Sequence, residues 1–369
     1  MNWLLPVITV ASLATSALHS FVDWINLRHS RSAPIPPGFA GSVSPEKFAE
    51  AHRYLEAQTK FGIFQRTFWT LIGLAFLWGG GFVALDDLAS QATSSPVLRG
   101  LVFFAALGVL SNAASLPFSW YSTFRLEEAF GFNRSTQKTF WLDQLKGYAL
   151  AVVIGGPVLA GLLWFFLASG PLAWLWAWGF LAVFQLVMGF LAPVVLMPLF
   201  NKFTPIEEGE LKSAIETYAA SVSFRLQGIF TMDGSKRSSK ANAFFTGFGK
   251  FRRIVLFDTL VKKHTVPELV AVLAHEVGHF KRGHIWKGMA LSFATSFVLF
   301  YFLGVVINSP EVSAAFGFSA PTVHGGLLAA SWIYGPFSLL LGILTQALSR
   351  KHEFEADAYA VETTGNGKE

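Results

Sequence analysis

The sequence predicts an α-helical, multi-pass membrane protein that carries a small α+β region on its cytoplasmic side. Three observations lead there. Of 369 residues, 53% are hydrophobic and only 14% charged, against about 25% charged in an average soluble domain. Seven stretches are apolar over the roughly 20 residues that a helix needs to cross a hydrocarbon core. The Lys and Arg residues gather between alternate stretches, as the positive-inside rule requires.

The candidate spans are residues 3–25, 67–85, 100–118, 147–168, 171–198, 288–307 and 325–349. No Lys or Arg precedes the first apolar run, so it does not read as a signal peptide. His19 and Asp23 share a face near its end, placed to pair with another helix or to line a cavity. Asn112 and Gln185, inside spans three and five, read as interhelical hydrogen-bonding residues. Of the 28 Lys and Arg residues, all but Arg99 fall in alternate loops or the tail. This puts the N-terminus outside and the C-terminus in the cytoplasm. The net charge of +5 therefore reflects topology: the bilayer is the expected partner and nucleic acid is not. The chain contains no cysteine, which excludes disulfides, thiol nucleophiles and cysteine–zinc sites.

Two polar regions interrupt the spans. In 26–66, a Pro-rich start precedes "PEKFAEAHRYLEAQTKFGIF", a cytoplasmic helix leading into span two. The region 199–287 opens with "FNKFTPIEEGELKSAIETYAASVSF", which predicts a helix beginning near Thr204–Pro205. "LQGIFTMD", "AFFTGFG" and "RRIVLFDTL" are short β-rich runs separated by Gly, Ser and Lys, and predict a sheet of about three strands. Lys236, Arg237, Lys240, Lys250, Arg252 and Arg253 read as a lipid-facing basic patch. The expected organisation is five spans in 1–198, a cytoplasmic region in 199–287, spans six and seven in 288–349, and a tail helix in 350–369.

The chemistry concentrates in "HTVPELVAVLAHEVGHFKRGH", which reads as a helix. Thr265 and Glu268 form a capping-box pair with Pro267 in the first turn. Leu269, Val272, Leu273 and Val277 give it an apolar face. His275 and His279 stand one turn apart on one face, where two imidazoles can hold one Zn²⁺ at about 2.0–2.1 Å. Glu276, beside the first histidine, is placed to take a proton from a metal-activated water and pass it to a leaving amine.

A catalytic zinc needs a third protein ligand and an open position. A metzincin would supply a third His where Ile285 stands, and a Gly where Arg282 stands. Gly283 and His284 are each displaced by one, so His284 reads as a surface residue or one lying behind the ligands. Glu311 lies in the outer loop. The tail segment "SRKHEFEADAYA" remains. There Glu353 and Asp357 share a helix face and Glu355 points elsewhere, while Ala356 and Ala360 allow close packing against the histidine helix. Glu353 is assigned as the third ligand, and Asp357 as the acceptor that fixes a ligating histidine.

These residues carry a family resemblance. "HEVGH" with downstream "SRKHEFEADAYA" resembles the gluzincin membrane proteases of the type I CAAX prenyl protease family. "LEEAFGFNRST", "PLFNKFTPIEEGELK" and "DGSKRSSKANAFFTGFGKFRRIVLFDTL" are similar to further signatures of that family, so the resemblance covers nearly the whole chain. It implies seven spans around an intramembrane chamber, with the zinc site at the cytoplasmic end. It also implies that the "KANAFF" edge strand, with Asn242, aligns the substrate backbone beside the metal. On its own chemistry Asn242 reads equally as a turn residue before a strand. The family continues into a C-terminal segment with a His-Pro…Arg signature; an end at "TTGNGKE" suggests truncation within that motif.

The expected function is therefore peptide-bond hydrolysis by a membrane zinc endopeptidase. The eukaryotic members of the resembled family remove the last three residues after a prenylated cysteine. The Ala- and Trp-rich style suggests a bacterial source and an inner-membrane location, for which the alternative is removal of misfolded or stalled membrane proteins without a prenyl requirement. A site-2-type protease would need an Asn-Pro-x-Asp-Gly motif, which is absent. A transporter or channel with a structural metal would need four protein ligands and would leave Glu276 without a task.

Overall fold

The computed structural model of the chain describes residues 2–39, 41, 43–246 and 253–365. Its helices are α1 (Leu4–Ser32), α2 (Pro45–Trp78), α3 (Gly81–Ala92), α4 (Pro96–Tyr121), α5 (Gln137–Leu150), α6 (Gly156–Ala168), α7 (Ala173–Leu191), α8 (Met197–Phe200), α9 (Glu210–Ser221), α10 (Asp258–Lys263), α11 (Val266–Lys281), α12 (His284–Ile307), α13 (Pro310–Ala315) and α14 (Val323–Thr364). Short π-helical turns at Ala151–Gly155 and Ala192–Leu196 join α5 to α6 and α7 to α8. The strands are β1 (Phe203–Pro205), β2 (Gly228–Met232), β3 (Ala243–Thr246) and β4 (Arg253–Phe257).

Among the described residues, 6 helices are long and apolar enough to cross a membrane, or 7 if α2 and α3 together make one span. That pair is bent by 63°. The expected second span, 67–85, runs straight across the bend. Hydropathy registers apolar side chains and is blind to the "WGGG" that ends α2. Gly80 there takes φ 71°, a left-handed conformation that breaks one helix and starts the next in a new direction.

The chain divides into two compact units. One comprises Met1–Phe130, Leu159–Trp174 and Tyr301–Leu341. Here polar side chains clasp α1 to α2. The Arg66 guanidinium donates to Asp23 Oδ2 at 2.8 Å and to Ser20 Oγ at 3.1 Å, and Trp78 Nε1 donates to Thr9 Oγ1 at 3.0 Å. Asp23 thus pairs across helices, while His19 lines a cavity with Arg66 and Thr70. Arg99, the one cation on its side of the charge pattern, donates twice to buried Asp86, at 2.8 and 2.7 Å. His324 Nε2 meets the same carboxylate at 2.8 Å. A cation so fully paired offers little net charge to oppose the topology.

The other unit comprises Gly131–Val158, Leu175–Phe300 and Gly342–Glu369. Its sheet has the order β1-β2-β4-β3, with β2 and β4 parallel and both edge strands antiparallel to their neighbours. The apolar faces of α9 and α11 close over it, burying Ile215, Ile254, Leu256, Leu269, Leu273 and Val277. The helix expected from Thr204–Pro205 begins instead at Glu210, and Phe203–Pro205 pairs with β2 as a fourth strand. A Thr-Pro pair opens a helix well, but Pro is equally tolerated on an edge strand, where its missing N–H is no loss. Lys250 and Arg252 of the expected basic patch lie outside the described residues. Arg237 does not serve such a patch. Its guanidinium donates to both carboxylate oxygens of Asp143, at 2.7 and 2.9 Å, and to Asn201 Oδ1 at 2.9 Å. The backbone around it is also paired: the Arg134 N–H donates to the Arg237 carbonyl, and the Ser239 N–H to the Phe132 carbonyl, both at 3.0 Å. Two separate sequence signatures, "FGFNRS" and "GSKRSS", therefore lie side by side.

Candidate metal centre

Helix α11 starts at the capping box read from the sequence. The Thr265 N–H donates to Glu268 Oε2 at 2.7 Å, and Pro267 occupies the first turn. Its apolar face is fixed in the core by Leu269, Leu273 and Val277, which turns His275 and His279 to the opposite side and leaves Glu276 between the two faces. Helix α14 approaches that side through small residues. Ala356 is fully buried, and a Cβ placed on Gly278 would meet Ala356 Cα and carbonyl O at 3.0 Å. The Gly inside the HEVGH motif is therefore a contact requirement: only a bare backbone lets the two helices come this close.

The close approach delivers Glu353 to the histidines. His275 Nε2 and His279 Nε2 lie 3.1 Å apart, and Glu353 Oε2 lies 3.4 Å from the first and 3.7 Å from the second. One donor atom from each residue falls within 4.8 Å of the other two. A tetrahedral ion with bonds of about 2.0–2.1 Å spaces its donors about 3.3–3.4 Å apart. Two imidazoles and a carboxylate at these separations fit such an ion, with the fourth direction left to water or substrate.

Both rings are oriented from behind. His275 Nδ1 lies 2.7 Å from Asp357 Oδ1. A carboxylate there accepts an N–H, so the proton sits on Nδ1 and the Nε2 lone pair faces Glu353. The second ring is held by a longer chain. His279 Nδ1 lies 3.1 Å from His284 Nδ1, and His284 Nε2 lies 2.9 Å from Glu355 Oε2. With Glu355 accepting the Nε2 proton, His284 Nδ1 is left as acceptor and takes the Nδ1 proton of His279. The His279 Nε2 lone pair then also faces the cluster. His284 is only 5% exposed, and the His352 ring stacks on it at 4.0 Å.

Glu276 lines the same cavity as His279 and Glu353, a space of about 570 Å³ whose apolar wall includes Phe224, Phe245 and Phe280. Burial pushes the Glu276 carboxyl above its ordinary value, against the pull of His275. Burial likewise lowers His279, with His275 adding to the shift, which favours the neutral imidazole that binds a metal. Strand β3 borders the cavity through Phe244, Phe245 and Thr246. Among the described residues it is an edge strand, with β4 on one side only and the other side of its backbone left for another extended chain.

The structure thus brings together His275, Glu276, His279, Glu353 and Asp357. Asn242 stands apart from this group. It is exposed at the head of β3; its Oδ1 accepts the Ala243 N–H at 2.9 Å, and its carbonyl accepts the Phe257 N–H at 3.0 Å. Of the two places expected for His284, at the surface or behind the ligands, it takes the second, and Glu355 is the residue that sequence reasoning passed over. His284 stands five positions after His279, the wrong interval for one helix face. Gly283, at φ 69°, breaks the helix between α11 and α12, and His284 lies behind the His279 ring. Glu355 does point away from Glu353, and that direction is towards His284.

Two family models match. CAAX prenyl protease N-terminal, five membrane helices, matches residues 25–202, and Peptidase family M48 matches residues 205–369. The CAAX prenyl protease 1 homolog of Oryza sativa subsp. japonica is 34% identical over 367 residues, covering 96% of this chain and 86% of the relative. CAAX prenyl protease 1 of Saccharomyces cerevisiae is 34% identical over 381 residues, covering 96% and 84%. The crystal structure of S. mikatae Ste24p is similar with a TM-score of 0.92 at 33% identity, covering 97% of this chain and 88% of that one.

Proposed function

The chain belongs to the CAAX prenyl protease 1 family of M48 membrane zinc metalloproteases, and on that premise we propose how its own residues carry out the reaction. His275, His279 and Glu353 would hold one Zn²⁺ per chain. When bound, the ion supplies the Lewis acid that acidifies a water and polarises the scissile carbonyl. Glu276 receives the proton of the attacking water and returns it to the leaving amine. The burial that raises its carboxyl makes it the stronger acceptor and lets it hold the proton between the two steps. Asp357 holds the His275 ring. The substrate peptide lies extended along the open edge of β3, with main-chain hydrogen bonds fixing its register. Asn242 contributes by pinning the start of that strand.

The proposed substrate is a peptide ending in a prenylated CAAX sequence, the class in the names of the similar proteins. The protein is a multi-pass integral-membrane protein, and the charge pattern supports an N-terminus outside with the reaction centre facing the cytoplasm.

One observation carries this reading: three donors spaced for one ion, with Glu276 in the wall of the same cavity. The test is cleavage of a farnesylated CAAX peptide and its unprenylated form by purified protein with zinc. A kcat/KM at least about tenfold higher for the farnesylated peptide is expected, because the isoprenoid adds a large buried apolar surface. Equal cleavage of both would point to membrane-protein quality control instead. Glu276→Gln should slow cleavage by about 10²–10⁴ with unchanged zinc content. Cleavage at the wild-type rate would remove Glu276 from the role of base.

A further inference from the structure

Helix α14 has a second face, turned away from the metal centre, that the reaction does not use. Ala347, Arg350, Lys351, Phe354 and Ala358 follow each other at helical spacing along it and line a cavity of about 940 Å³. Arg282 and Lys287, from the junction of α11 and α12, close the other side. Four cations thus surround one space with a single acid, Glu355, whose carboxylate is already held by His284 at 2.9 Å. Lys351 reaches Glu355 only at 3.8 Å, and Arg282 reaches Glu362 only at 3.7 Å. Lys287 and Arg350 are exposed and make no ion pair among the described residues. Such a concentration of like charge is costly unless an anion shares it.

The surroundings say which kind of anion. One to two turns before Arg350, the same stripe of α14 presents Ile343 and Leu344, each 68% exposed. Just beyond the cations stands Phe354, 74% exposed. The order along a membrane helix is therefore an apolar track, then a cluster of cations, then an aromatic side chain. From Leu344 to Lys351 the helix rises about 10 Å, the step from acyl chain to phosphate in a lipid leaflet. A free anion would need the cations but not the track.

We propose that Arg282, Lys287, Arg350 and Lys351 form a binding site for the phosphate of an anionic phospholipid, whose acyl chain lies along Ile343 and Leu344. The site depends only on the chain being a membrane protein and stands whether or not prenylated peptides are the substrate.

The test uses full-length protein in phosphatidylcholine nanodiscs containing about a tenth phosphatidylglycerol. Native mass spectrometry then counts the lipid that survives transfer into neutral detergent. Wild-type protein should retain phosphatidylglycerol in preference to phosphatidylcholine. The Lys287→Gln/Arg350→Gln variant should retain about tenfold less, since each cation near an anionic headgroup contributes substantially; its metal content, read in parallel, should not change. Lys287→Arg/Arg350→Lys should retain the lipid, as should Lys47→Gln/Arg53→Gln, which removes two exposed cations on α2. Inorganic phosphate at about 10 mM should not displace it. Equal loss in the α2 variant, displacement by inorganic phosphate, or no preference in the wild type would each overturn the proposal.

Discussion

His284 shows how much of a metal site can rest on a residue that binds no metal. Its two nitrogens link Glu355 to the His279 ring, and at the start of α12 its side chain is buried against His279 of α11 and His352 and Glu355 of α14. Replacing it with Ala leaves the Nδ1 proton of His279 without an acceptor and frees the ring to turn. His284→Ala should weaken zinc binding about 10–100-fold, the usual effect of removing a partner behind a ligand. Glu355→Gln should act in the same direction, because an amide no longer fixes which His284 nitrogen carries the proton. Both are read by the rate at which a chelator removes zinc, independently of cleavage. Release as slow as in the wild type would show that His279 is oriented by packing alone. At this scale the sequence was legible where spacing on one helix decides geometry. His275, Glu276 and His279 follow from the helical repeat, and Glu353 and Asp357 from theirs. For His284 the repeat left two places open, at the surface or behind the ligands, because the left-handed Gly283 interrupts the helix before it.

Elements are set by a different balance. The helix α11 was readable to its cap, since Thr265, Pro267 and Glu268 act on neighbours close in the chain. β1 was not, since Thr204–Pro205 satisfies the local rules of a helix start as well as those of an edge strand, and only β2, more than twenty residues away, chooses between them. The pairing of α11 with α14 lies between these cases. Ala356 and Ala360 suggested a close approach, but the counterpart residue, Gly278, is hidden inside a motif known for its polar members. Gly278→Ala should force the helices apart by a few tenths of an ångström and so displace Glu353 from the histidines. We expect a several-fold loss of zinc affinity and a destabilisation of about 1–3 kcal/mol from overpacking, measured by zinc titration and thermal unfolding. Unaltered affinity would mean that Glu353 follows the histidines through some other contact.

On the scale of the whole chain, apolar length and charge placement carried most of the information. Both are additive along a sequence and need no knowledge of partners. The break at Gly80 escaped them because it changes direction without changing hydropathy. The proposed topology is open to direct measurement, since the chain has no cysteine of its own. A cysteine placed at Arg53 should react with an impermeant maleimide only from the cytoplasmic face, and one placed at Ser94 only from the outer face. Labelling of both from one side would invert or abolish the scheme. The arrangement of α14 also bears on the order in which the protein can become active. The chain is made from the N-terminus, and α11 emerges with two donors and the base long before Glu353, Glu355 and Asp357. Until α14 has been synthesised and docked, the nascent chain holds an incomplete ligand set. Docking of α14 thus completes the ligand set, and the site cannot act on neighbouring chains before that helix has been made.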